Sequence, residues 1–294
     1  MQQIRFYSLQ QLWRVLLLLC FFTPSLMAQS NFAFKDSLGT HEKGELSNPL
    51  AFEIDADGNI FFIDSDKVVK LDKNGNYVLE FGSGGAGNGQ LSSASGIALD
   101  SQGNIFVADR GNTRVQKFNS SGTYVSQFGT TGKGNGQFNY PTNIVIDKAD
   151  NVYVVDARND NVQKFDNNGV FKWKLGTTGK GNGQFDFPRY MDIDGDANLY
   201  VVDRVNDRVQ KIDSSGAFVS VIGGPGTEDG KFSAPRGFGV DAQKTIYVFD
   251  NNYVMVFNAD GSFKEKFKPQ FPTQPNLFSF PDIDFDSNGS LYLL

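Results

Sequence analysis

Arg189 and Arg236 each follow a proline, Pro188 and Pro235, and stand 47 residues apart. Two guanidinium groups placed alike on consecutive structural units can close on one anion, and their forked N–H donors suit a carboxylate, sulfate or phosphate. Asn143 and Tyr190 occupy neighbouring positions of the same pattern and could add hydrogen bonds beside them. A second set is acidic. Glu53, Asp192 and Asp284 lie two residues before an aspartate that recurs along the chain, where Ala98, Val145 and Gly239 stand in the other copies. Three carboxylates around one axis could hold Ca²⁺, an ion that takes oxygen ligands.

Other chemistry is excluded or weak. His41 is the only histidine and Cys20 the only cysteine, so a zinc site with nitrogen and sulfur ligands cannot be assembled. A serine triad would have to use His41, and no nucleophile is paired with it in the sequence. Asp55-Ala56-Asp57-Gly58-Asn59 looks like the start of a calcium loop but lacks the closing glutamate. Its counterparts at 147–151 and 194–198 read as hairpin turns. The glycine-rich GKGNG has no helix after it, so no phosphate cradle is expected.

What must position these residues is a repeat. Phe81-Gly82, Phe128-Gly129, Leu175-Gly176 and Ile222-Gly223 close successive copies, each 47 residues after the last. The string TTGKGNGQF occurs unchanged at 130–138 and 177–185. One copy contains four short apolar runs: 143–147, 152–156, 161–166 and 170–175, bounded by Asn, Asp and Gly. Runs of this length, rich in β-branched and aromatic residues, are strands. No helical apolar period occurs, and a fixed period with four strands per unit signals a propeller. The inner two runs are apolar on both faces. The third and fourth alternate with Lys and Gln, which predicts a position nearer the rim.

Innermost strands, counted by their closing apolar–Asp step, number six: Ile54-Asp55, Leu99-Asp100, Ile146-Asp147, Ile193-Asp194, Val240-Asp241 and Phe285-Asp286. The expected fold is therefore an all-β, six-bladed β-propeller of four-stranded blades. Their spans are about 46–82, 91–129, 138–176, 185–223, 232–268, and 278–294 joined by 32–39. Residues 31–39 read as an orphan fourth strand that ties the N-terminus into the sixth blade. Leu291–Leu294 matches only the second strand of other copies, so the last blade is expected to be incomplete and the chain to be a C-terminally shortened piece.

The text GNGQF, then P-x-x-I-x-I-D, then IFVADRGNTRVQKF at 105–118 and LYVVDRVNDRVQKI at 199–212 resembles the NHL repeat family, over roughly residues 40–294. The resemblance implies the propeller fold. It leaves function open, because such proteins include lyases, RNA binders, sensors and secreted proteins. It also implies that the Asp ending strand two faces the Arg opening strand three, pairing Asp109 with Arg114 and Asp203 with Arg208. The amidating-lyase branch uses several zinc-binding histidines, which this chain lacks. Gluconolactonase-like propellers hold a divalent ion in the channel, but their ligand spacing is not clear here.

Residues 1–28 read as a leader: Arg5 and Arg14 precede the apolar 15–22, and Leu26 and Ala28 form a small-residue cleavage site before Gln29. The apolar run is too short to span a bilayer. The domain expected after cleavage is 29–294, without cysteine and hence without a disulfide. It would be secreted or periplasmic, monomeric and not inserted in a membrane. Net charge is −6 for the whole chain and about −8 without Arg5 and Arg14, which gives no general attraction to nucleic acid.

In a propeller the loops between strands two and three share one face with the long GTTGKGNGQF connections, and ligands favour that face and the channel mouth. Arg110, Arg114, Lys133, Arg158, Lys180, Arg189, Arg204, Arg208 and Arg236 all map there. The function expected is a secreted, non-catalytic binding propeller. It would present Arg189, Arg236, Asn143 and Tyr190 to an anionic glycan, metabolite or protein, with no cofactor. The alternative is a hydrolase or lyase using a channel Ca²⁺ on Glu53, Asp192 and Asp284.

Overall fold

A computed structural model describes residues 46–269, 282–287 and 289–294, and the backbone of Leu18–Cys20. Five four-stranded antiparallel sheets follow one another in sequence order, and a sixth sheet has three strands. The innermost strands are Pro49–Ile54, Gly96–Leu99, Pro141–Ile146, Pro188–Ile193, Phe238–Val240 and Ile283–Phe285. Each touches the next, and the sixth touches the first, so the ring is closed.

The core lies between blades rather than within one layer. Six apolar clusters occur, and each straddles two neighbouring blades. Second strands such as Val152–Asp156 are buried along their whole length because both faces meet a neighbouring sheet. Fourth strands such as Phe171–Leu175 alternate half-buried with exposed, as rim strands should. The repeat-closing glycine takes a left-handed backbone, φ 98° at Gly129, and a Cβ there would stand 2.5 Å from the Phe138 ring. That aromatic, the last residue of GNGQF, is fully buried beneath the long loop, as are Phe185 and Phe232.

The third strands differ from the rim pattern expected of them. Gln116, Gln163 and Gln210 are fully buried. Gln116 accepts the Gly89 N–H at 2.9 Å and donates to the Gln90 carbonyl at 2.6 Å, and the other two repeat this latch. The glutamine is inside because it satisfies backbone groups of the long loop that water cannot reach.

The sixth sheet takes Leu18–Cys20 as the strand beside Leu291–Leu293. An apolar segment thus covers an edge that would otherwise be open, and it comes from inside the stretch read as a leader. The strand expected at 31–39 lies outside the described residues, as does His41.

Candidate functional site at the channel mouth

The turns that resembled calcium loops are self-contained. Asp55 accepts the N–H groups of Asp57 and Asn59 and the Asn59 side chain, all within 3.0 Å. Asp147 and Asp194 do the same, and each also accepts a tyrosine hydroxyl, from Tyr153 and Tyr200. Their oxygens are used up by the hairpin.

On the opposite face the strand-two Asp and strand-three Arg pair as the resemblance implied. Arg114 Nε stands 2.7 Å from Asp109, and Arg208 Nε 2.8 Å from Asp203. Each guanidinium then donates to three carbonyls of the long loop: Ala86, Gly87 and Gln90 for Arg114, and Lys180, Gly181 and Gln184 for Arg208. These two arginines are loop clamps: Arg114, which also donates to Gln127, uses all five of its N–H groups and Arg208 uses four.

The remaining arginines are placed differently. Strands two and three are joined by four residues in the second, third and fourth blades, starting at Arg110, Ala157 and Arg204. The first and fifth blades use two residues only. The mouth therefore has a raised wall on one side. Tyr190, on the inner strand beside that wall, has the Arg189 guanidinium 5.5 Å from its ring centre; Arg204, Arg236 and the Asp282 carboxylate act on its hydroxyl through longer-range electrostatics. Burial pushes the Tyr190 hydroxyl pKa up and the Asp282 carboxylate adds to that shift, while Arg189, Arg204 and Arg236 oppose it. Arg189 does not pair with Asp192. Among the described residues neither Arg189 nor Arg204 has a carboxylate at ion-pair distance, and the buried Nε of Arg204 has no acceptor. Arg236 is exposed and also faces Asp250.

Of the four residues expected at the mouth, Arg189, Tyr190 and Arg236 thus come together. Asn143 is spoken for: its Oδ1 accepts the Met191 N–H of the next blade at 3.2 Å. Arg204 belongs with the group and was not singled out in the sequence.

Below the mouth the channel narrows to a cavity of about 40 Å³, room for a few waters at roughly 10–15 Å³ each. Glu53, Asp192 and Asp284 line it as expected, and Asp282 joins them. Asp282 could have been found by aligning inner strands, since it stands two residues before Asp284 as Tyr190 stands before Asp192. Lining residues include no lysine or arginine. The aspartates do not converge on a common centre; each is turned to backbone. Asp192 accepts the N–H groups of Ile193 and Val240, Asp282 that of Phe52, and Asp284 those of Ile54 and Phe285. An inner strand has one edge with no neighbour, so its N–H groups need acceptors. Side chains of the preceding blade supply them. No three acidic, histidine or cysteine side chains form a metal cage among the described residues.

Burial sets the electrostatics of this throat. It pushes the Asp192 carboxyl up to about 7 against its two hydrogen bonds. Glu53 is held well above the usual carboxylate range, first by burial and then by Asp284, Asp192 and Asp282. Asp282 and Asp284 are raised for the same first reason.

A family model described as a 6-bladed beta-propeller, DUF5128, matches residues 91–164, which span the second blade and most of the third. No protein of curated function shows significant sequence similarity. Among solved structures, a streptogramin B lyase is 16% identical, with 86% of this chain and 77% of that one covered and a TM-score of 0.63. A virginiamycin B lyase from Staphylococcus aureus is 12% identical, with 84% and 77% covered and a TM-score of 0.62. A structure of a nidogen/laminin complex is 20% identical, with 75% and 80% covered and a TM-score of 0.58. Identities this low establish a shared fold, and lyases and a protein complex share it alike.

Proposed function

We propose that this propeller is a secreted, non-catalytic binding module that captures an anionic group at the mouth of its channel. The observation that carries the reading is the Arg189 guanidinium beside the Tyr190 ring, in the positive field of Arg204 and Arg236, with no carboxylate at ion-pair distance from Arg189 or Arg204 among the described residues. A guanidinium beside a partly covered ring has lost some water and gains most from a carboxylate or sulfate that accepts two of its N–H groups. The leader read at 1–28 supports export. Cleavage behind Ala28 would also remove the Leu18–Cys20 strand.

The test uses protein recovered from the medium or periplasm, with its N-terminus expected at Gln29, and galacturonate as the probe in calorimetry. Arg189→Gln and Arg204→Gln are expected to weaken binding by about tenfold each, the worth of one charge-assisted contact. Unchanged affinity in both variants, or conversion of the probe by the unmodified protein, would overturn the reading. A channel-metal hydrolase or lyase draws less support, because backbone N–H groups occupy the aspartates that would hold the ion. One equivalent of calcium retained through exhaustive dialysis would reverse that preference.

A further inference from the structure

One blade along from Tyr190 the mouth carries a second basic cluster that no loop clamp or ion pair uses. The Arg110 guanidinium lies 4.9 Å from the ring centre of Tyr140, and that of Arg158 lies 4.5 Å from the same centre. The two cations are therefore held within about 9.4 Å of each other by one aromatic ring. Neither has a carboxylate at ion-pair distance among the described residues. Arg158 is exposed, and Arg110 and Tyr140 are partly so, which leaves the cluster open to solvent. Two like charges kept this close without a counter-ion make a site that an anion completes.

The two clusters are joined. Phe187 packs its ring 6.1 Å from Tyr140 and stands two residues before Arg189. Its backbone is left-handed, φ 53°, a conformation that a bulky residue adopts only when its surroundings hold it there. Asp160 does so by accepting the Phe187 N–H at 2.8 Å. Tyr140, beside Arg110 and Arg158 of the second and third blades, is thus in contact with the chain segment that leads into Arg189 on the fourth.

We infer that the two clusters are successive subsites for one chain-like polyanion, an acidic polysaccharide whose carboxylates or sulfates recur along its length. The inference rests on the binding reading above and names its ligand class. A glycan is favoured over a nucleic acid by the state of Tyr140. Single-stranded nucleic acid needs open aromatic faces for its bases, whereas two guanidinium groups already occupy this ring.

The experiment compares galacturonate with its linear tetramer, and with single-stranded DNA of equal charge, on the intact secreted protein. The tetramer is expected to bind about tenfold or more tighter than the monomer, since the second contact is intramolecular. In the Arg110→Gln/Arg158→Gln double variant that ratio is expected to fall to about one. An unchanged melting temperature and an unchanged far-ultraviolet circular dichroism spectrum serve as the folding checks. Equal binding of monomer and tetramer by the unmodified protein would overturn the extended site while leaving the anion reading in place. No binding of either would remove both. DNA bound as tightly as the tetramer would overturn the glycan class.

Discussion

Asp192 shows how one residue can look like a ligand and act as a fastener. Its carboxylate spans two blades by accepting the Val240 N–H while its own blade contributes the Ile193 N–H. Burial raises its pKa to about 7, and Asp284 adds to the shift. An unfolded aspartate titrates near ~3.9. Between these values the folded state holds a proton that the unfolded state has lost. The contribution of Asp192 to stability is therefore complete below about pH 4 and disappears as pH rises through about 7. Asp192→Asn removes the charge and keeps an oxygen for Val240, while the Ile193 N–H, which uses the other carboxylate oxygen, loses its acceptor. At pH 8 it is expected to raise stability by about 1–2 kcal/mol, and to flatten the fall between pH 4 and 7. Denaturant titrations at pH 4, 6 and 8 measure this. A variant less stable than the parent at pH 8 would mean that the lost N–H acceptor outweighs the buried charge, and would overturn the expectation.

At the scale of strands, the contact that decides packing is the approach of neighbouring inner strands. A Cβ on Gly96 would meet Asn143 Cα at 2.9 Å and the Thr142 carbonyl at 3.2 Å, both backbone. Backbone cannot swing aside as a side chain can, so Gly96→Ala must push the second and third blades apart. The expected cost is about 1–3 kcal/mol, as for other overpacked cores, read as a lower denaturation midpoint with an unchanged slope. The strands themselves were legible because a 47-residue repeat superposes copies, and each copy corrects the others. Arg189 and Arg236 were legible for the same reason, each following a proline at one phase. Three features escaped that logic. The third-strand glutamines read as surface residues because polarity alone does not tell solvent from a buried backbone acceptor. Asp282 stands four residues before the recurring aspartate, the phase of Asn143 and Tyr190, where no other copy carries a carboxylate. Arg204 was legible as a residue of this face, but its buried Nε without an acceptor is a product of folding that the repeat pattern does not announce.

The whole ring is only as firm as its seam. Five junctions join blades that follow one another in the chain, while the junction of sixth and first blades joins residues about 230 apart. Closing so long a loop costs chain entropy that local contacts do not share. Two hydrogen bonds from Phe52 and Ile54 to Asp282 and Asp284 cross it, and Tyr292 packs its ring 6.5 Å from Phe52 beside Leu46 and Leu294. Tyr292→Ala should open a cavity at this junction and cost about 3–5 kcal/mol. Because the loss is placed at the seam, opening there should precede global unfolding. Hydrogen exchange is expected to speed up first in Pro49–Ile54 and Ile283–Phe285, while Val152–Asp156 on the far side keeps its protection. Equal acceleration in all six blades would show instead that the ring unfolds as one unit and that its closure is no weaker than its other joints.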